Sequence, residues 1–390
     1  MTDRRFEIVR VPYMLAHRET SSFKDTYGGD VGFVFVEAML IRPRDVESKR
    51  AIVFSHPIGG GSFLPAMTEL ASRGHHVLYV NTRYRGNDSA LILEKCALDL
   101  GAGIKDAKKR FGYEKFVLGG WSGGGSLTLF YQEQAEKPTI TTTPAGDPAD
   151  LVAAKFIPAD AIFLVAAHVS RSATLTEWID PSVIDERDPR ERDVELDLYD
   201  PRNPNQPAYS DAYLARFREA QVARNERITR FAETELEALK AAGKPGLETC
   251  FLVHRTMADP RWLDPAVDAN ERKPRWCYLG DPEVVNDGPV GLARFTTVRS
   301  WLSQWSLRTS RAHGERNAAN TSVPTLVVGN LADDACTPSH TRRLFDAVPH
   351  ARKSMFEIAG ATHYYMGQAA QLAECVGHYE RFLEEYGLDG

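Results

Sequence analysis

The chain has 390 residues, of which 43% are hydrophobic and 26% are charged, and its formal net charge is -6. This length exceeds one ordinary domain of roughly 100 to 200 residues, so we expect one large domain or a domain that carries an insertion. The composition excludes a disordered, collagen-like or coiled-coil chain. We expect no nucleic-acid partner, because contacts with a phosphate backbone need clustered Lys and Arg and the sequence has no basic stripe.

We also expect no membrane partner. The longest uninterrupted apolar run, Ala161–Ala167, is far shorter than the roughly 20 residues that cross a bilayer. Glu7, Arg10 and Pro12 interrupt what would be the apolar part of a signal peptide, which predicts a cytoplasmic protein. The cysteines are widely spaced without a C-x-x-C pair, so we expect reduced thiols and neither a disulfide framework nor a zinc site.

The predicted elements alternate along most of the chain. Strand-like segments lie at 6–11, 31–41, 51–54, 76–84, 115–120, 161–168, 324–330 and 353–358, and helical segments lie near 62–73, 89–110, 124–134, 339–347 and 368–386. Continuous apolar strands that alternate with helices are typical of right-handed βαβ units. The pattern therefore predicts an α/β fold with a mostly parallel sheet.

The alternation stops at His168 and resumes at Pro324. We therefore assign residues 1–168 and 323–390 to an α/β core, and residues 169–322 to an inserted cap. Both units fall within the usual size range of a domain.

The predicted cap is mainly helical. Its start, from 180 to 207, is rich in Pro, Asp and Arg and predicts a loop-like hinge without packed structure. Helical patterns follow at 211–242 and around 298–305. Five tryptophans lie in this segment: Trp178, Trp262, Trp276, Trp301 and Trp305. They form the cap's own core, roof an apolar substrate pocket, or do both.

A G-x-S-x-G pentapeptide, from Gly120 to Gly124, lies between an apolar strand and a helix. A serine on a tight strand-to-helix turn presents its hydroxyl above the sheet edge, and neighbouring glycines let the two backbones pass closely. A phosphate-binding loop does not fit, because neither of the usual glycine spacings is present. We therefore predict that Ser122 is a nucleophile.

A serine hydroxyl needs a base to remove its proton and an acid to orient that base. His363 directly follows the strand at 353–358, and Asp333 and Asp334 follow the strand at 324–330. The order Ser, Asp, His along the chain is the one that an α/β-hydrolase sheet requires. We prefer Asp334 as the acid, with Asp333 as the alternative.

The loop after the strand at 51–54 supplies a fourth part. Two backbone N–H groups commonly hold the negative oxygen of a tetrahedral intermediate, one after the nucleophile and one from this earlier loop. We expect Gly123 and Ile58 to form this oxyanion hole, with Gly59 in place of Ile58 if the loop is shifted by one residue. Pro57 has no N–H to donate.

Together these segments resemble the α/β-hydrolase superfamily: HPIGGG at 56–61, GWSGGG at 120–125, LADDACTP at 331–338 and GATHYY at 360–365. The resemblance covers roughly 45–168 and 323–388, and the insertion lies where that superfamily often carries a cap. It implies an eight-stranded, mostly parallel core and hydrolysis through an acyl-enzyme. No subfamily is identified.

Our hypothesis is a serine hydrolase that cleaves a carboxylic ester of a small to medium, largely apolar molecule. We expect His56, Trp121, His168, Trp301 and Trp305 to line its pocket. No cofactor is expected, and no metal either, because the remaining histidines lack H-x-H and H-E-x-x-H spacing.

Other functions remain open at this point. The same triad would serve an amidase, a hydrolase of carbon–carbon bonds in diketones or an acyltransferase. A binding protein that kept the fold and lost the chemistry is an alternative of another class. The aromatic helices would also suit a subunit interface, so a homodimer is the assembly to test.

Overall fold

A computed structural model describes residues 5–19, 21, 23–28, 30–243 and 246–389. Its strands are β1 (Ile8–Arg18), β2 (Phe33–Pro43), β3 (Arg50–Phe54), β4 (Val77–Val80), β5 (Lys115–Ser122), β6 (Ala161–Ala167), β7 (Val183–Asp185), β8 (Asp188–Arg192), β9 (Cys250–Leu252), β10 (Phe295–Thr297), β11 (Thr325–Asn330) and β12 (Lys353–Ile358). Its helices are α1 (Pro65–Ser72), α2 (Leu93–Phe111), α3 (Gly124–Glu136), α4 (Arg171–Trp178), α5 (Asp211–Ala241), α6 (Pro260–Leu263), α7 (Pro282–Asp287), α8 (Val298–Ser300), α9 (Gly314–Ala318), α10 (Pro338–Ala347) and α11 (Ala369–Glu385), and a π-helical turn spans Trp301–Trp305.

The central sheet has eight strands in the order β1-β2-β4-β3-β5-β6-β11-β12. Only the pairs β1–β2 and β2–β4 are antiparallel, and the other pairs are parallel. The predicted α/β-hydrolase architecture, an eight-stranded, mostly parallel sheet flanked by helices, is confirmed. No helix within the described ranges is long and apolar enough to cross a bilayer.

Helices cover both faces of this sheet. Successive β5 side chains point to opposite faces, as a strand requires. Leu118 joins an apolar cluster with residues of α2 and α3, whereas Val117 joins a second cluster with residues of α1 and α11. The carboxyl ends of the parallel strands therefore stay at one edge, where their loops meet.

The segment predicted to be a loop-like hinge is packed, so that prediction is wrong. It contains the β7–β8 hairpin, and Asp180 and Asp197 are almost fully buried in it. The Arg255 guanidinium pairs with both carboxylates, through Nε to Asp180 at 2.7 Å and through Nη2 to Asp197 at 2.8 Å. From the sequence we expect these acidic residues to be exposed to solvent. In the structure they are buried against an arginine from a distant part of the chain.

Residues 169–322 lie between β6 and β11 and build an apolar cluster to which Ala145 is the one buried contribution from outside the segment among the described residues. The 31-residue α5 begins at an N-cap, where the Ser210 side chain accepts a hydrogen bond from the Tyr213 N–H. Ile228 of α5 packs with Trp301 and Trp305 in this cluster. The end of the segment joins the sheet instead, because Ala318 of α9 packs with residues of α3 and α10. The division into core and cap stays a prediction.

Two helical glycines should respond in opposite ways to replacement by alanine. A Cβ on Gly103 in α2 would lie 2.6 Å from Val80 Cγ2, whereas one on Gly377 in α11 would lie 3.5 Å from the flexible Arg381 side chain. We expect Gly103→Ala to lower the free energy of unfolding by about 1 to 3 kcal/mol. Gly377→Ala should raise it by about 1 kcal/mol, because alanine favours the helix. Chemical denaturation measures both, and equal shifts would contradict this packing.

Candidate active site

Ser122 occupies a sharp turn between β5 and α3. Its φ of 54° lies in the left-handed region, which a residue with a side chain rarely adopts. The backbones beside it are in close contact: a Cβ on Gly124 would lie 2.3 Å from the Ser55 carbonyl oxygen, and one on Gly120 would lie 2.7 Å from Gly125 Cα. Glycines are therefore required on both sides of the serine, as a nucleophile elbow requires.

His363 is held by a buried carboxylate. Its Nδ1 donates a hydrogen bond to Asp333 Oδ2 at 2.7 Å. The other carboxylate oxygen accepts the backbone N–H groups of Ala335 and Cys336, at 2.7 and 2.9 Å. Because Nδ1 is the donor, the neutral imidazole presents its lone pair at Nε2, which is the atom that a general base uses. His363 and Ser122 line the same cavity.

The structure corrects the choice between the two acids. No hydrogen bond within the described residues joins the Asp334 side chain to His363, and the Asp334 carbonyl oxygen accepts the Trp262 indole N–H at 2.8 Å. Burial, together with the adjacent Asp333 charge, raises the pKa of Asp334 to about 6. Asp333, the alternative from the sequence, is the acid in contact with the imidazole.

Trp121 supports the histidine loop. Its indole N–H donates to the His363 carbonyl oxygen at 3.0 Å, and the two rings lie 4.9 Å apart. The same ring lines the cavity, as predicted from the sequence. Trp121 thus joins the loop that carries His363 to the turn that carries Ser122.

The predicted loop donors of the oxyanion hole are already engaged. The Ile58 N–H donates to His56 Nδ1 at 3.3 Å, and the Gly59 N–H donates to the His56 carbonyl oxygen at 2.8 Å. The next amide, that of Gly60, donates to Asn81 Oδ1 at 2.9 Å. The geometry thus gives no support to Ile58 or Gly59 as an oxyanion donor.

His56 presents a different donor at the same place. Since its Nδ1 accepts the Ile58 N–H, the neutral ring carries its proton on Nε2. This atom lies 3.0 Å from the position that a Cβ on Gly123 would take. Burial, together with nearby Arg171 and His363, lowers the pKa of His56 to about 3, so the ring is neutral at pH 7. A neutral N–H therefore lies beside the residue that follows the nucleophile.

The cavity above Ser122 has a volume of about 280 Å³, and tryptophan and tyrosine rings form part of its walls. His56, Trp121, His168 and Trp305 line it, as predicted. Trp178, one of the five tryptophans considered for the roof of a pocket, also lines it, whereas sequence reasoning missed several further lining residues: Arg171, Thr174, Tyr278, Leu292 and Tyr364. The one available signal was position, because Arg171 follows β6 by a few residues, at the sheet edge where ligands bind.

Trp301 lies outside this cavity, which corrects its predicted contact with substrate. Its indole N–H donates to Thr229 Oγ1 at 3.0 Å, and the ring is fully buried against Phe251. Trp301 thus belongs to the core of the inserted segment. The helical spacing indicated an apolar face without showing which part of it meets the cavity.

One group of three side chains within the described ranges has potential metal-ligand atoms close together: those of Asp333, Cys336 and His363 lie within 4.8 Å of one another. Both Asp333 oxygens and His363 Nδ1 are occupied in the hydrogen bonds given above. Burial also raises the pKa of the Cys336 thiol well above its usual range, which disfavours the thiolate that a metal would bind. A hydrogen-bonded acid–base pair fits this group better than a metal site does.

Comparison with known proteins gives structural likeness only. No protein-family model matches the chain, and no curated protein matches it. Among solved structures, a monoacylglycerol lipase from Paleococcus ferrophilus is 14% identical with a TM-score of 0.42, covering 86% of this chain and 94% of the lipase. Carboxyl esterase 2 from Tuber melanosporum is 12% identical with a TM-score of 0.43, covering 100% of this chain and 88% of the esterase. Proline iminopeptidase from Mycobacterium smegmatis is 13% identical with a TM-score of 0.43, covering 91% and 96%.

The raised pKa of Asp334 predicts a pH-dependent stability. The folded state binds this proton more tightly than the unfolded state, so ionisation of Asp334 destabilises the fold as the pH rises from about 4 through 6. The cost reaches about 3 kcal/mol at neutral pH. Asp334→Asn should therefore gain stability relative to the native chain between pH 4 and pH 7.5, as measured by chemical denaturation at both values.

The matched control is Asp389→Asn, which changes an exposed carboxylate. Its stability relative to the native chain should be the same at both pH values. A parallel pH profile for Asp334→Asn and the native chain would contradict the buried ionisation of Asp334.

Proposed function

We propose that this chain is a serine hydrolase that cleaves a carboxylic ester of a small to medium, largely apolar molecule through an acyl-enzyme. The observation that carries this proposal is the strained Ser122 in one cavity with a His363–Asp333 pair. Backbone strain at a non-glycine residue persists only where the surroundings enforce it, and such positions cluster at active sites.

In the proposed reaction, Ser122 Oγ attacks the ester carbonyl carbon while His363 Nε2 takes the hydroxyl proton. The carbon–oxygen bond to the alcohol then breaks, and the imidazolium returns the proton to the departing oxygen. Water repeats the sequence on the acyl-enzyme and releases the acid. The Asp333 carboxylate stabilises the imidazolium in both halves.

The negative oxygen of each tetrahedral intermediate needs donors fixed in advance. We assign this role to the Gly123 amide and to the His56 Nε2–H, which lies beside it. Because burial lowers the pKa of His56 to about 3, the ring stays neutral near pH 7 and keeps its single N–H at Nε2. A donor of this kind contributes on the order of 10²- to 10³-fold in rate.

The residues that line the cavity support the proposal of a largely apolar substrate. Trp121, Trp178, Trp305, Tyr278 and Tyr364 surround it. Aromatic walls of this kind favour apolar groups, and a volume of about 280 Å³ limits their size. Ethyl and nitrophenyl esters assayed beside matched amides and β-diketones would show which bond is cleaved.

Labelling with a fluorophosphonate tests the nucleophile directly. We expect one adduct on the native chain and none on Ser122→Ala, measured by intact mass. Labelling of Asp333→Asn should be slower by about 10³- to 10⁴-fold, because the imidazole loses its orienting carboxylate. An adduct that persists on Ser122→Ala would contradict the assignment.

Asp334→Asn is the matched control for the acid. It removes the neighbouring carboxylate and leaves the bond between Asp333 and His363 in place. We expect labelling within about threefold of the native rate. A loss as large as that of Asp333→Asn would return the acid role to Asp334.

The donor role of His56 has its own test. His56→Phe keeps a ring in the cavity and removes the Nε2–H, so kcat for an activated ester should fall by about 10²- to 10³-fold while KM changes little. His56→Gln, which retains an N–H donor, should recover part of this loss. A change confined to KM would assign His56 to substrate binding instead.

A further inference from the structure

Among the described residues that line the cavity, Arg171 is the only Lys or Arg, and none is Asp or Glu. Its side chain is 7% exposed. The neighbouring histidines do not share its charge, because burial lowers the pKa of His56 to about 3 and that of His168 well below its usual range. The guanidinium is therefore a single buried positive charge at the wall of an aromatic pocket.

The guanidinium is held on three sides. Nη2 donates to Asp88 Oδ2 at 2.5 Å, Nε donates to Gln304 Oε1 at 2.9 Å, and the group lies 4.3 Å from the centre of the Trp305 ring. Gln304 is fixed in turn, since its amide nitrogen donates to the Asp88 carbonyl oxygen and to Ser300 Oγ. The orientation of the Arg171 side chain is thus fixed before any ligand binds.

The remaining nitrogen points toward the elbow. Arg171 Nη1 makes no hydrogen bond to the described residues, and it lies 3.7 Å from the position that a Cβ on Gly123 would take. Because Asp88, Gln304 and the Trp305 ring engage the rest of the guanidinium, Nη1 is the atom left to donate to a ligand in the cavity. Arg171 is also the first residue of α4, where a positive charge opposes the helix dipole.

We propose that Arg171 selects an ester that carries a carboxylate close to the scissile carbonyl. This inference rests on the proposed function and narrows its substrate to a half-ester of a short dicarboxylic acid. The carboxylate accepts from Nη1 while the carbonyl carbon lies at Ser122 and the hydrocarbon part contacts the aromatic walls. Charged hydrogen bonds of this kind are stronger than neutral ones, so selectivity of about 10- to 100-fold is expected.

The kinetic test compares ethyl hydrogen succinate with ethyl 4-methylpentanoate, in which two methyl groups replace the carboxylate oxygens. We expect the native chain to favour the succinate at least tenfold in kcat/KM, mainly through KM. Arg171→Met should lower this ratio at least tenfold, and Arg171→Lys should retain part of it. A native ratio of one or below, or an equal loss for both esters in Arg171→Met, overturns the proposal.

A binding test separates this inference from the proposed hydrolysis. Succinamate and 4-methylpentanamide are the amide analogues of the two esters, and calorimetry on Ser122→Ala measures their affinity without turnover. We expect succinamate to bind at least tenfold more tightly, and Arg171→Met in the Ser122→Ala background to abolish the difference. Equal affinities, or no measurable succinamate binding, would overturn the anion site even if esters are hydrolysed. Selective binding without any hydrolysis would instead count against the proposed function alone.

Discussion

The close passage of β5 and α3 at Ser122 is the constraint on which the rest of the site depends. The Ser55 carbonyl oxygen lies 2.3 Å from the position that a Cβ on Gly124 would take, so the loop after β3 is in contact with the start of α3. This contact brings His56 to Gly123, and with it the donor assigned to the oxyanion. Any side chain at Gly124 would push the loop after β3 away from the start of α3. His56 would then move away from Gly123, and the turn at Ser122 would be distorted.

The charges of the site are kept few by burial. Asp333 satisfies both of its oxygens with the imidazole and two backbone amides, so its negative charge is stabilised without solvent. His56 and His168 are held neutral by desolvation. Among the described residues of the cavity wall Arg171 is then the one Lys or Arg, and although Nη2 is paired with Asp88, its Nη1 is left to donate to a ligand.

The parts of this site that follow from local sequence were predictable. A strand followed by G-x-S-x-G, and a histidine directly after a late strand, are local patterns, and the structure places Ser122 and His363 at one cavity. The sheet was predictable for the same reason, because buried parallel strands are continuous apolar runs. Arg171 carries no such pattern, and the ion pairs that bury Asp180 join residues 75 positions apart.

The choice between Asp333 and Asp334 could not be read from the sequence, because it is made by distant residues. Asn270 donates to the Asp333 carbonyl oxygen, and Trp262 donates to that of Asp334, both at 2.8 Å. These two bonds fix the backbone of the acid turn and therefore which carboxylate points at His363. Both donors lie in residues 169–322, so this segment holds the turn that carries Asp333 and also contributes residues to the cavity wall. A substitution in the segment can thus change the chemistry at Ser122 without touching a ligand, through the orientation of a single carboxylate.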